Sequence, residues 1–377
     1  MMRLAGILLM AVFWAAAPMF AQQETWEQQR QREKNRWEER NRREKEAWDK
    51  QREAERLHWQ DMVERESAAW NAHVEAVKKK WQDLKFSDVR VWVGYGENES
   101  SRFQADFENG NLKIEILGEK GEDPGVLQQR AIAMLHQLLR ERARPNEPPI
   151  LENQLEIDPN AGRIPPGYLE VRSHLAPNGR TYEKMDITIP FRQDHLRARA
   201  QRVAPLVREF ARKYNVNPKL VMAVIHTESS FNPRAISTFR RSGGGVGHAY
   251  GLMQLVPFSG GKEAYEFLGG RGEPSPALLF DPQANIELGT VYLHKLEYHY
   301  FGAVGEAQKR QYVMTAGYNT GPYNVARAFG GGRNVGAAIP AINAMTPPRL
   351  YQHLLYNLPY WETRDYLQKV IQRINLY

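Results

Sequence analysis

Residues 217–233, NPKLVMAVIHTESSFNP, decide the fold of the C-terminal half of the chain. Asn217 before Pro218 has the pattern of an N-cap and first helical position, and Asn232-Pro233 stops the helix about four turns later. Val221, Val224, Ile225 and Glu228 stand at i, i+3, i+4 and i+7, so one carboxylate shares the face of the aliphatic side chains that must be buried. A carboxyl pushed against an apolar wall holds its proton near neutral pH and can donate it to a leaving oxygen. Glu228 is thus a candidate general acid. Taken alone, a partly exposed Glu at a helix end is the more ordinary reading, since buried carboxylates are uncommon.

Four further segments follow in order. They are Gly251-Leu252-Met253-Gln254, then DPQANIELGTVYL from Asp281 to Leu293, AGYNTGP from Ala316 to Pro322, and ETRDYLQKV from Glu362 to Val370. Each alone has an ordinary reading: Gln254 as a surface amide, Asn285 and Gly289 as close helix packing, Tyr318 as a core aromatic with a satisfied hydroxyl.

The ordered set ES, GLMQ, NxxxG with YL, YN-x-G and Y-x-x-x-V resembles the lytic murein transglycosylases of family 1, in the goose-lysozyme-like superfamily, from about Ala198 to Leu376. The stretch SDVRVWVGYGENESSRFQADFENGNLKIEIL is similar to the non-catalytic domain of membrane-bound members, extending the resemblance to Phe86. The resemblance implies cleavage of the β-1,4 bond between N-acetylmuramic acid and N-acetylglucosamine, leaving a 1,6-anhydromuramoyl end. Glu228 would act as acid and then as base, and the substrate's 2-acetamido carbonyl would trap the oxocarbenium-like centre. Ordinary glycosidases use two carboxylates, and the ES, GLMQ and GYN segments hold no second one. By the same resemblance Ser229 would orient the acetamido group or the catalytic carboxylate, Met253 and Gln254 would line the glycan cleft, Tyr318 and Asn319 would hold the saccharide, and Tyr366 would close the cleft behind Glu228. Two features depart from the family pattern: Gly317 stands where Ala is usual, and the Gly- and Arg-rich connection from Ser237 to Gly251 is long, to be read as a mobile lip or a surface insertion.

The length of 377 residues with 42% hydrophobic content supports two or three units with a sizeable core. A net charge of +7 suits a polyanion. No nucleic-acid motif appears, and the free carboxylates of cell-wall peptides would serve as well. The chain contains no cysteine, which removes disulfides, thiolate metal sites and thiol catalysis; no cofactor or metal is expected. Residues 1–21 have the layout of a signal peptide, with Arg3, an apolar run from Leu4 to Ala17, and Ala21 before polar sequence. A lipoprotein tether needs a cysteine, so the expectation is an exported, periplasmic protein, with a retained signal anchor as the lesser alternative.

From 22 to 85 there is neither Gly nor Pro, and Trp26, Trp37, Trp48, Trp59, Trp70 and Trp81 recur at intervals of eleven. Eleven residues overshoot three helical turns by about 20°, so the ladder is a slowly drifting stripe on a helix roughly 80 Å long. It reads as a charged helical arm that spaces the enzyme, or as a surface for self-association or for docking on a wall or membrane. From Phe86 to about residue 193, period-two runs around Asn109-Gly110 and Asn178-Gly179, with a helix from Val126 to Arg142, read as a small α+β domain. The expected whole is α+β: the arm, this accessory domain, and at 194–377 a mainly α, lysozyme-like (goose-type) catalytic domain. Two rival readings remain: a hydrolytic muramidase, which needs a base for water, and a non-catalytic wall-binding or assembly protein acting through the arm.

Overall fold

The computed structural model describes residues 26–158, 162–241, 244–330 and 332–377; the signal-peptide reading of 1–21 lies outside them. The chain divides into two compact units, Met1–His73 and Val74–Tyr377. The first contains most of helix α1, Trp26–Lys80. Its surface carries ion pairs one turn apart, Lys34 with Glu38, Arg43 with Glu39 and Arg42 with Glu46, each worth only tenths of a kcal/mol. Trp37 and Trp70 are exposed, at 61% and 53%. No described helix is long and apolar enough to cross a membrane.

The second unit opens with an antiparallel sheet of strands β1 (Val91–Tyr95), β2 (Ser101–Asp106), β3 (Asn111–Glu119), β4 (Leu169–Leu175) and β5 (Thr181–Pro190), in the order β1-β2-β3-β5-β4. Gly110 and Gly179, with φ of +71° and +78°, make the two expected hairpin turns. Ala105 pairs with Leu112 and Leu112 with Ile189, and Phe103 with Ile114 and Ile114 with Ile187. That apolar face is covered by helix α2 (Pro124–Leu138) through Leu127, Ala131 and Leu135. The helix ends four residues before the expected Arg142.

The opposite face is ionic. Arg102 pairs across the strands with Glu115, and Glu115 with Asp186. Glu115, almost wholly buried, is bonded by Arg102 and Lys184, which hold its carboxyl far below the usual range although burial opposes them. A polar cavity of about 340 Å³ opens here. Trp81, 2% exposed, packs with Val77, Leu117, Ala176 and Tyr182. Its Nε1 donates to Glu99 O at 2.7 Å and the Arg102 guanidinium lies 4.0 Å from its ring centre. The last rung of the ladder is therefore an anchor in the second unit, placed by local packing rather than by an exposed stripe.

The rest is helical: α3 (His195–Lys213), α4 (Pro218–Ser229), α5 (Gly260–Phe267), α6 (Pro276–Leu279), α7 (Pro282–His294), α8 (Ala307–Thr320), α9 (Pro322–Arg327), α10 (Val335–Ala344), α11 (Pro347–Asn357) and α12 (Trp361–Ile374). One core spans Ala200 to Val370, distinct from the sheet's core, which ends at Phe191. Helix α4 packs against α3 and α12, and α12 against α8. The Gly- and Arg-rich connection, read as a mobile lip or a surface insertion, forms an antiparallel hairpin, β6 (Ile236–Arg240) with β7 (Val246–Tyr250). Arg241 lies 3.9 Å from the Phe258 ring centre, tying the hairpin to the chain beyond it.

Candidate active site

Helix α4 begins as its sequence dictates, with the Asn217 side chain accepting from Lys219 N at 3.0 Å and Pro218 in the first turn. Val221, Val224 and Ile225 are fully buried. The helix stops at Ser229, earlier than Asn232-Pro233 suggested, because Ser230 and Phe231 adopt left-handed backbones with φ of +50° and +61°. Glu228 thus stands in the last helical turn.

Its side chain keeps some contact with solvent, yet most of its surroundings are protein. Burial foremost, with Glu362, raises the carboxyl to about 8 against the opposing effects of Tyr366 and Arg90. The Tyr366 hydroxyl is buried and has no hydrogen bond of ordinary geometry, so it influences Glu228 without a well-formed bond to it. Tyr318 is buried as well, and its hydroxyl donates to Met253 O at 2.8 Å. Burial and the neighbouring Glu228 raise both phenols well above their ordinary value, so both stay protonated donors.

The GLMQ segment is pinned from three sides. Asn285, fully buried, accepts from Met253 N at 2.7 Å and donates to Tyr250 O and Leu279 O at 2.8 and 2.7 Å. Gly289, one turn on, leaves room for the Met253 sulfur, which a Cβ there would meet at 2.3 Å. Gly251 has φ of +76°, and a Cβ there would meet Leu279 O at 2.3 Å. The NxxxG spacing on α7 is the seat of this loop.

The predicted residues therefore separate. Glu228, Tyr318 and Tyr366 come together. Gln254, half-buried, adopts a left-handed backbone at φ +48° and donates from Nε2 to Gly251 O at 2.9 Å. Asn319, half-buried, accepts at Oδ1 from Thr363 Oγ1 at 2.7 Å, joining α8 to α12. Met253 is fully buried, and its side chain packs against Gly289 on α7. Ser229 has no exposed surface, and its hydroxyl lies 3.0 Å from Ile225 O and 2.8 Å from Leu252 O. It ties the end of α4 to the GLMQ segment.

Three groups escaped the sequence reading. Glu362 lies four residues before Tyr366 on α12, a helical spacing visible in ETRDYLQKV, and its charge acts on Glu228. Arg90 and Glu108 come from the sheet domain, more than a hundred residues upstream, and no local pattern marks them. Glu108 accepts from the Ser230 hydroxyl and lies 3.1 Å from Arg90 Nε and 3.5 Å from Arg373 Nη2. Neither described cavity is lined by Glu228: one is the polar cavity on the sheet, the other a space of about 150 Å³ beside Arg199, Arg202 and Phe231. No cluster of acidic and histidine residues suited to a metal occurs among the described residues.

A largely buried, protonated carboxyl beside two phenol donors is suited to acid catalysis at a solvent-reachable surface. Residues 205–338 match the family model described as Transglycosylase SLT domain. The chain is 41% identical over 184 residues to membrane-bound lytic murein transglycosylase C of Yersinia pestis (strain Pestoides F), and equally to that of Yersinia pseudotuberculosis serotype O:1b (strain IP 31758). Each match covers 49% of this chain and 49% of the relative, so the chain spans about half the length of the curated relatives it matches. Among solved structures, an inactive mutant of lytic transglycosylase Slt from Pseudomonas aeruginosa is 24% identical with a TM-score of 0.33, covering 46% of this chain and 23% of that one. The 70-kDa soluble lytic transglycosylase in complex with bulgecin A is 26% identical with a TM-score of 0.34, covering 48% and 25%.

Proposed function

We propose that this protein is a peptidoglycan lytic transglycosylase that cleaves the β-1,4 bond between N-acetylmuramic acid and N-acetylglucosamine. The observation that carries the reading is the Glu228 carboxyl, raised to about 8 beside Tyr318 and Tyr366. Protonated Glu228 donates to the glycosidic oxygen as the bond to C1 breaks. The substrate's 2-acetamido carbonyl traps the positive centre. The Glu228 carboxylate then takes the proton from the C6 hydroxyl as O6 bonds to C1 and displaces the acetamido oxygen, which regains its carbonyl; this closes the 1,6-anhydro ring, returns Glu228 to its starting state and consumes no water. Gln254, Tyr318, Asn319 and Tyr366 shape and support the surface that holds the saccharide, with Ser229 and Met253 fixing the backbone beneath it. The protein works at the cell envelope, on the periplasmic side.

Glu362 favours a second reading. It is an exposed carboxylate that acts electrostatically on Glu228, and as a base it would activate water and give hydrolysis. Mass spectrometry of muropeptides released from purified sacculi separates the two. Products lighter by one water than reducing sugars, lost with Glu228→Gln, support the transglycosylase; reducing ends replace it with a muramidase, and no release from the wild type rejects both.

A further inference from the structure

The two residues that end the catalytic helix, Ser230 and Phe231, hold consecutive left-handed backbones without being glycine. Such conformations persist only where surrounding contacts over-determine them. Here the contacts come from the sheet domain and from α3. Glu108, in the turn between β2 and β3, accepts from the Ser230 hydroxyl. Arg199, almost fully buried, donates from Nε to Ser230 O at 3.3 Å and from its other nitrogens to Phe107 O and to Gln154 Oε1. Asn232 Nδ2 reaches Val89 O at 3.5 Å, and Ile236 N reaches Asp88 O at 3.4 Å. Arg373 joins α12 to the same cluster, donating from Nη1 to His226 O at 3.1 Å and facing Glu108 from Nη2.

We propose that Glu108 is a positioning residue for Glu228: by holding Ser230 and engaging Arg90 it fixes where the catalytic helix ends and how much positive charge the catalytic carboxyl feels. The proposal rests on the reading of Glu228 as general acid. Burial opposes ionisation of Glu108, yet the Ser230 bond, Arg90 and Arg373 together keep its carboxyl below the usual range, so it is a fixed anion at neutral pH. His226, behind it, is pushed down to about 4 by burial and by Arg373 and stays neutral. The charged and titratable groups that face Glu228 are Glu362 and Tyr366 on α12, Tyr318 on α8 and Arg90 from the segment before β1. Without Glu108, Arg90 has lost its ion-pair partner and its charge is less compensated at Glu228, so the Glu228 proton becomes easier to lose.

The test uses the full chain with Glu108→Gln and Glu108→Ala. Carboxyl ¹³C NMR follows the titration of Glu228, and release from sacculi follows kcat and KM. Glu108→Gln keeps an acceptor for Ser230 and removes only the charge; Glu228 should titrate at lower pH than in the wild type, with kcat near neutral pH reduced and KM unchanged. Glu108→Ala loses the anchor too, and kcat should fall about tenfold or more across the pH range. Unchanged Glu228 titration and kcat in folded Glu108→Gln overturn the proposal, as does a loss in Glu108→Ala that follows its unfolded fraction alone. Should Glu108→Ala fail to fold, Ser230→Ala, which removes the same bond from the other side, takes its place. Should the wild type release nothing from sacculi, the transglycosylase reading fails, and the NMR titration still decides whether Glu108 controls Glu228.

Discussion

In the proposed reaction a single carboxyl carries the chemistry, and both activity and stability should decline as pH rises through its titration. As general acid Glu228 must be protonated, so kcat/KM should fall as pH rises through about 8, and Glu228→Gln should lower kcat by roughly 100- to 10,000-fold. For stability, a carboxyl whose folded pKa lies above its ordinary 4.5 binds in the folded chain a proton that the unfolded chain releases. Stability then declines as pH rises from 4.5 towards 8. The expected outcome is a higher melting temperature for Glu228→Gln than for the wild type at pH 8, with the difference vanishing near pH 4; equal melting at both would mean that the carboxyl is not desolvated. The helical spacing of Val221, Val224, Ile225 and Glu228 made this legible in the sequence. The fates of Ser229 and Met253 were not, because side-chain type says nothing about which neighbour takes the hydroxyl or the volume.

At the scale of elements, α7 acts as a seat for the GLMQ segment. Gly289→Ala forces Met253 to move, and overpacking of this kind costs about 1–3 kcal/mol. Asn285→Ala leaves the Met253 amide and two carbonyls without their partner, again at about 1–3 kcal/mol. Urea unfolding of each variant should show these losses, and activity should fall as well because a shifted Met253 moves the carbonyl that accepts from Tyr318. The NxxxG spacing read from sequence as close helix packing is that contact. The hairpin of β6 and β7 was unreadable as such: its Gly- and Arg-rich composition signals a loop, and only the pairing of Ile236 with Tyr250 through to Arg240 with Val246 gives it order.

At the scale of the whole molecule, the described tryptophans of the eleven-residue period are of two kinds, Trp81 buried and Trp37 and Trp70 exposed. Trp81→Ala should cost about 3–5 kcal/mol, as removal of a buried aromatic does, whereas Trp37→Ala should stay within about 0.5 kcal/mol in thermal or urea unfolding. A matching loss at Trp37 would show that the exposed stripe is covered in solution. Self-association along that stripe is tested by sedimentation: variants of Trp37 and Trp70 should then run as smaller species than the wild type, and equal behaviour would remove the idea.

The sequence alone determined the arm's helix, the two hairpins and the apolar face that carries Glu228, because each follows from residue spacing along a regular backbone. The tertiary structure alone decided where Arg90, Glu108 and Glu362 stand relative to that carboxyl, and that Trp81 is an anchor. Electrostatic shifts and desolvation depend on distance through space, and a chain that brings residue 108 against residue 230 leaves no periodic trace of that meeting in either segment.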